Sequence, residues 1–252
     1  MKYEVKSNFS EFESVLKDYI LNFDNQGDDY GNQKRNSLKL FQLNDLTINI
    51  KSFRVPNLVN QIVYRFFRKS KAERSFVYAN KLLDLQIGTP HPIAYFELPS
   101  PLLFKKSYYV SEHLDYELTF RELSHNPDMP DHDKILRAFT RFTFMLHEKG
   151  IHFLDHSPGN TLIKKVGAEY QFYLVDLNRM EFKEMSFNER IHNFARLTMY
   201  KSIVETMSDE YAKVSGEDYN KVFNLMWKET EAFQEKFHRK RRLKKKLKFW
   251  KK

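Results

Sequence analysis

The stretch from Asp133 to Asn178 constrains the fold more than any other part of this chain. It opens with "DKILRAFTRFTFMLHEKG", an amphipathic helix closed by Gly150, whose missing Cβ suits the left-handed position after a helix end. Then comes "HFLDHSPGN", His152 to Asn160, in which the carboxylate of Asp155 stands five residues ahead of the carboxamide of Asn160 with Pro158-Gly159 between them. Two short strands follow, "TLIKKV" and "QFYLVDL", joined by a turn containing Gly167. A cluster such as Asp155, Ser157, Pro158, Gly159 and Asn160 is by itself a turn, because every one of those residues favours turns. Set between a long helix and a hairpin that ends in Asp176, it becomes a way to aim oxygen-bearing side chains.

Upstream the pattern is β first. "NSLKLFQL" and "LTINIKSF" alternate apolar and polar residues across an "NDL" turn, as a hairpin with one buried face requires. From Ser70 to Leu85 the apolar residues Phe76, Val77, Ala79, Leu82 and Leu83 recur at helical spacing, behind a Ser70 N-cap with Glu73 placed to complete a capping box. "HPIAYFEL" and "SYYVSEHL" read as two more strands from their aromatic and β-branched content. The chain from about Ser186 onward reads as helical. The expected organisation is α+β, with a small antiparallel sheet and one helix over 1–110, a mainly helical part over 111–238, and a basic tail over 239–252.

Composition limits the partners. With 41% apolar residues, 23 Phe and 14 Tyr, the 252 residues suffice for a core. Zero cysteines exclude disulfides and thiolate metal sites, so any metal must be held by oxygen or imidazole. No apolar run approaches the roughly 18 residues a membrane span needs, and acidic residues stand early in "MKYEVKSNFSEFES", so the chain is expected to be neither spanning nor secreted. The last fourteen residues hold ten Lys or Arg and no acid, which takes the net charge from +9 for the whole to −1 for 1–238. The excess therefore belongs to the tail and to a polyanionic partner reached by it. Leu243, Leu247 and Trp250 would give a helical tail a thin apolar stripe in a cationic surface, which suits an anionic membrane; nucleic acid and plain solvation are the alternatives.

Asp155, Asn160 and Asp176 make an all-oxygen set. Mg²⁺ takes one or two carboxylate or amide oxygens and fills its octahedron with phosphate and water, and phosphoryl transfer needs that metal plus a carboxylate to accept the attacking hydroxyl's proton. His113, His152 and His156 stand at no recognised ligand spacing and are read as packing or hydrogen-bonding residues.

The D-x-x-x-x-N spacing followed by a hairpin Asp resembles the protein-kinase-like fold. The resemblance implies Asp155 as catalytic base and Asn160 and Asp176 as Mg²⁺ ligands, with Lys51 on the ATP phosphates and Glu73 orienting it. Alternation puts Lys51 and Asn49 on one strand face. "GDDYGNQKRNSLKL", with Gly27 and Gly31, stands where a glycine loop belongs, Lys34 and Arg35 assisting its amides, and Tyr108 to Asp115 stands where adenine is cradled. Two departures are plain: Asp176-Leu177-Asn178 replaces Asp-Phe-Gly, and Phe153 stands where the signature has His.

"FFRKSKAERSFVYANKLLDLQIGTPHPIAYFE", "SYYVSE", "DHSPGNTLI" and "VDLNRM" are similar to the lipopolysaccharide kinase family, the Kdo and heptose kinases of Gram-negative bacteria, over roughly 30–200. That implies ATP-dependent phosphorylation of a sugar hydroxyl of the inner core, with Mg²⁺, on the cytoplasmic face of the inner membrane. A catalytically inactive kinase-fold protein that binds nucleotide or a membrane partner, and an aminoglycoside-type phosphotransferase, are the alternatives.

Overall fold

The computed structural model describes residues 1–33 and 36–249, with side chains as far as Lys244. The chain divides into two compact units, Met1–Asp115 with Leu174–Arg179, and Tyr116–Tyr173 with Met180–Lys252.

The first unit contains β1 (Lys2–Val5), α1 (Glu13–Leu21), β2 (Asp28–Tyr30), β3 (Ser37–Leu43), β4 (Leu46–Phe53), α2 (Leu58–Phe66), α3 (Lys71–Asp84), β5 (Pro92–Pro99) and β6 (Phe104–Glu112). Its strands form one antiparallel sheet in the order β1-β5-β6-β4-β3-β2. Asn44 turns β3 into β4 with φ 53°, a left-handed conformation that Asn tolerates. Period two sends alternate residues to opposite faces. Ile48, Ile50, Phe96, Tyr108 and Val110 meet Leu16 and Ile20 of α1 on one face, while Phe53 and Tyr95 meet Ala72 and Phe76 of α3 on the other. The unit thus carries α1 and α2 in addition to the expected α3, because a six-stranded sheet has two faces to cover.

Ser70 caps α3 as expected, accepting from the Glu73 amide at 3.0 Å. The reciprocal half of the box is absent: the buried Glu73 carboxylate turns to Lys2 Nζ at 2.8 Å and Lys69 Nζ at 3.3 Å, where a full charge offers more than a second backbone amide. Gly27 sits at φ 74°, and a Cβ there would lie 2.6 Å from the Phe41 ring. This glycine serves the packing of the hairpin.

The second unit contains β7 (Leu118–Thr119), α4 (Phe120–His125), α5 (His132–Glu148), β8 (Ile151–Phe153), β9 (Thr161–Val166), β10 (Glu169–Leu174, its last residue belonging to the first unit), β11 (Met180–Phe182), α6 (Phe187–His192), α7 (Lys201–Ser215) and α8 (Tyr219–Phe249). Two small sheets, β10-β9-β7 and β11-β8, accompany the helices. α5 ends as its glycine predicts, with Gly150 at φ 66° donating to His147 O at 3.0 Å. The strand expected over 171–177 stops at Leu174, because Asp176 takes a left-handed φ of 61° that no ladder continues through. Within the described residues the basic stretch continues a helix: α8 runs through 31 residues to Phe249. Leu243 of its expected stripe is 55% exposed, whereas the Leu247 side chain and Trp250 lie outside the described residues.

Candidate active site

In the first unit the site begins with an interior strand. β4 lies between β3 and β6, so its backbone is bonded on both edges and Lys51 is held in register opposite Tyr109. The segment Leu174–Arg179 is tied to the same unit by its first residue: the Leu174 amide donates to Gly88 O, and its carbonyl accepts from Thr89 Oγ1, both at 2.8 Å. Two residues later the left-handed turn at Asp176 presents its carboxylate to Lys51. Lys51 Nζ and Asn178 Nδ2 both donate to Asp176 Oδ1, each at 2.7 Å. Burial pushes the Asp176 carboxyl up, but the charge and hydrogen bond of Lys51, with help from Asn178 and Lys71, outweigh it and hold the group below the usual carboxylate range. Asp176 is therefore an anion, and its Oδ2 takes no hydrogen bond from the described residues.

In the second unit the loop after β8 is built by satisfying its carbonyls. Phe153 O accepts from Asn193 Nδ2 at 2.9 Å, Leu154 O from Arg196 Nη1 at 3.3 Å, and Asp155 O from Asn160 Nδ2 at 2.8 Å. Three consecutive carbonyls are thus fixed by side chains, as a loop without a ladder requires. The bond from its nitrogen leaves the amide oxygen as the acceptor atom of the Asn160 side chain, with no hydrogen bond to it among the described residues. The Asp155 carboxylate meets Arg196 Nη1 through Oδ1 at 2.7 Å. Under the loop His156 is 1% exposed, packed against the rings of Phe139, Phe153 and Phe194 at 5.6, 5.7 and 6.5 Å. Burial drives its pKa down to about 4 and that of His147 to about 3, so both imidazoles are neutral around the shared acceptor Asn193 Oδ1.

The structure joins Lys51 to Asp176 and Asn160 to Asp155, but it does not join Glu73 to Lys51: Glu73 is held by Lys2 and Lys69. Lys34 and Arg35 lie outside the described residues. His152, in place of the signature histidine, sits on β8 with Nδ1 3.4 Å from Glu181, while Phe153 is fully buried. Asn193 and Arg196 escaped sequence reasoning. Their one local signal is two strongly polar residues among the buried Phe194, Ala195 and Leu197.

Taken separately, the anionic Asp176 carboxylate of the first unit and the Asn160 amide oxygen of the second are each a donor of the type that a hard divalent cation takes. Among the described residues no three His, Cys, Asp or Glu side chains cluster as a metal site.

The antiparallel sheet with its helices, the strand lysine bonded to a post-hairpin aspartate, and the Asp155–Asn160 loop define the protein-kinase-like class. A solved structure described as WaaP in complex with acyl carrier protein matches this fold with a TM-score of 0.62, covering 92% of this chain and 99% of that chain at 16% identity. Residues 32–224 match the model of the Lipopolysaccharide kinase (Kdo/WaaP) family, and the chain belongs to that family, a family of kinases. Comparison with curated proteins gives no match.

Proposed function

We propose that this protein transfers the γ-phosphoryl group of ATP to a sugar hydroxyl, Kdo or heptose, of a lipopolysaccharide inner-core precursor at the cytoplasmic face of the inner membrane. The observation that carries the reading is the 2.7 Å bond between Lys51 and Asp176, which brings together, from 125 residues apart, a cation for phosphate and a carboxylate of the kind that holds the metal in phosphoryl transfer. Asp155 accepts the proton of the attacking hydroxyl, whose oxygen bonds to the γ-phosphorus as the bond to ADP breaks. Arg196 holds that carboxylate in one orientation, and Asn160 braces the loop beneath it. Lys51 turns its charge to the nucleotide phosphates, with Glu73 as the acid on α3 and Lys34 and Arg35 as cations before β3. Asp176 and Asn160 are the residues that would offer oxygens to Mg²⁺, and what it would supply when bound is neutralisation of charge on the phosphates.

Glu73 supports a second reading. Its carboxylate is occupied by Lys2 and Lys69, an arrangement that suits a kinase-fold protein that binds nucleotide without turning it over. One experiment separates the two: purified protein with Mg²⁺-ATP and cell-envelope glycolipid, followed by mass spectrometry. A gain of one phosphoryl group on the glycolipid is expected; nucleotide binding with no transfer would establish the inactive reading. WaaP is seen with acyl carrier protein, which makes that protein a partner to add to the same assay.

A further inference from the structure

α2 has an apolar face that nothing in its unit covers. Asn57 caps the helix through the Asn60 amide at 3.0 Å, and its inner side rests on β6 through Tyr64, whose ring lies 5.8 Å from that of Phe104. On the 100° per residue of a helix, Leu58, Ile62, Phe66 and Val59 fall within about 100° of arc, centred roughly half a turn round from Tyr64. They point away from the sheet and are 67%, 47%, 58% and 72% exposed. Phe67, just beyond the helix, is 82% exposed. A soluble surface rarely gathers such residues without a partner.

The charge around this face indicates which partner. Between Asp45 and Glu73 there is no acid, while Arg54, Arg65, Arg68 and Lys69 are exposed at the two ends of the helix. An apolar strip with cationic ends fits a surface that is apolar inside and anionic outside, and nine residues lie in such a surface rather than cross it. Among the described residues no helix is long and apolar enough to cross a membrane. We propose that α2 is an interfacial helix that seats the first unit on an anionic lipid bilayer, with Leu58, Ile62 and Phe66 entering the acyl boundary and the flanking arginines meeting lipid phosphates. This contact is separate from the basic C-terminal residues and holds whichever hydroxyl the enzyme phosphorylates.

The absence of cysteine makes the test specific. An environment-sensitive fluorophore on Phe66→Cys should brighten and shift to the blue on vesicles containing phosphatidylglycerol and stay unchanged on pure phosphatidylcholine. The same label on Asn60→Cys, about 120° round the helix, should not respond. Leu58→Asn/Ile62→Asn, two exposed changes that leave the thermal melt unaltered, should weaken binding to the anionic vesicles at least about tenfold. A silent label at position 66 while the protein still sediments with vesicles would overturn the proposal, leaving binding to the tail alone. Unchanged affinity of the double variant would do the same. So would a label that responds to purified acyl carrier protein and not to vesicles, because the occupant of the face would then be an acidic protein.

Discussion

At the scale of single residues, geometry separates groups that act from groups that hold them. Asp155→Asn keeps the loop bonds, which use the backbone carbonyl, and removes the proton acceptor. Turnover should fall by about 10²–10⁴ while nucleotide affinity is retained, measured by steady-state transfer beside fluorescent-nucleotide titration. A variant that phosphorylates acceptor at the parental rate would dismiss Asp155 as the base. Arg196→Gln tests a positioning role: kcat should drop on the order of tenfold with the KM for ATP little changed, since only the carboxylate's orientation is loosened. The Asp155–Asn160 loop was legible because six consecutive residues carry the whole pattern. Asp176 was reached as a third oxygen donor and Lys51 only through family resemblance, which paired it with Glu73; their bond to each other was not foreseen, because no local rule links residues 125 apart. Asn193 and Arg196 were invisible for the same reason, and Glu73 shows the converse. Its position was read correctly, but its partner is Lys2 on a strand the sequence did not announce.

At the scale of elements, two features can be broken separately. Gly150 lies at φ 66°, and a Cβ there would come within 3.0 Å of the backbone oxygen of Lys183, a residue held against Gly150 by the 2.8 Å bond from its own amide to Gly150 O. Gly150→Ala should therefore cost about 1–3 kcal/mol in chemical denaturation, and an unchanged midpoint would show that the junction relaxes. The neutral histidines between α5, the loop and the segment after α6 give a pH dependence with a definite sign. His156 is held at about 4 when folded, below its ordinary 6.5, so the unfolded chain binds the extra proton. Stability is full above about pH 6.5 and is lost as pH falls toward 4, at about 1.4 kcal/mol per pH unit for each such group. The melting temperature should drop through that window, and a flat profile would mean the imidazoles are not desolvated. β3, β4, α3 and α5 were legible from period and caps. β7, β8 and β11 were not, since two or three residues cannot display a period. α2 escaped because its apolar face was not recognised as one.

At the scale of the molecule, the +9 net charge and the helical continuity of α8 belong together. The cations of 239–252 stand mostly on one extended helix rather than on a loose appendage. Deleting 239–252 should reduce sedimentation with anionic vesicles, and the remaining affinity measures what α2 contributes; cosedimentation equal to that of the full chain would rule out a role for the tail. Sequence alone determined the order of β3, β4, α3, β5, β6 and α5, the turn that carries Asp155 and Asn160, and the location of the positive charge, because each is written in spacings of two to five residues. Tertiary structure decided that Asp176 receives Lys51 while Glu73 does not, that Arg196 grips Asp155, and that α2 keeps its apolar side outward. Those outcomes depend on which distant segments share a sheet edge or a helix face, and a linear pattern contains no term for that.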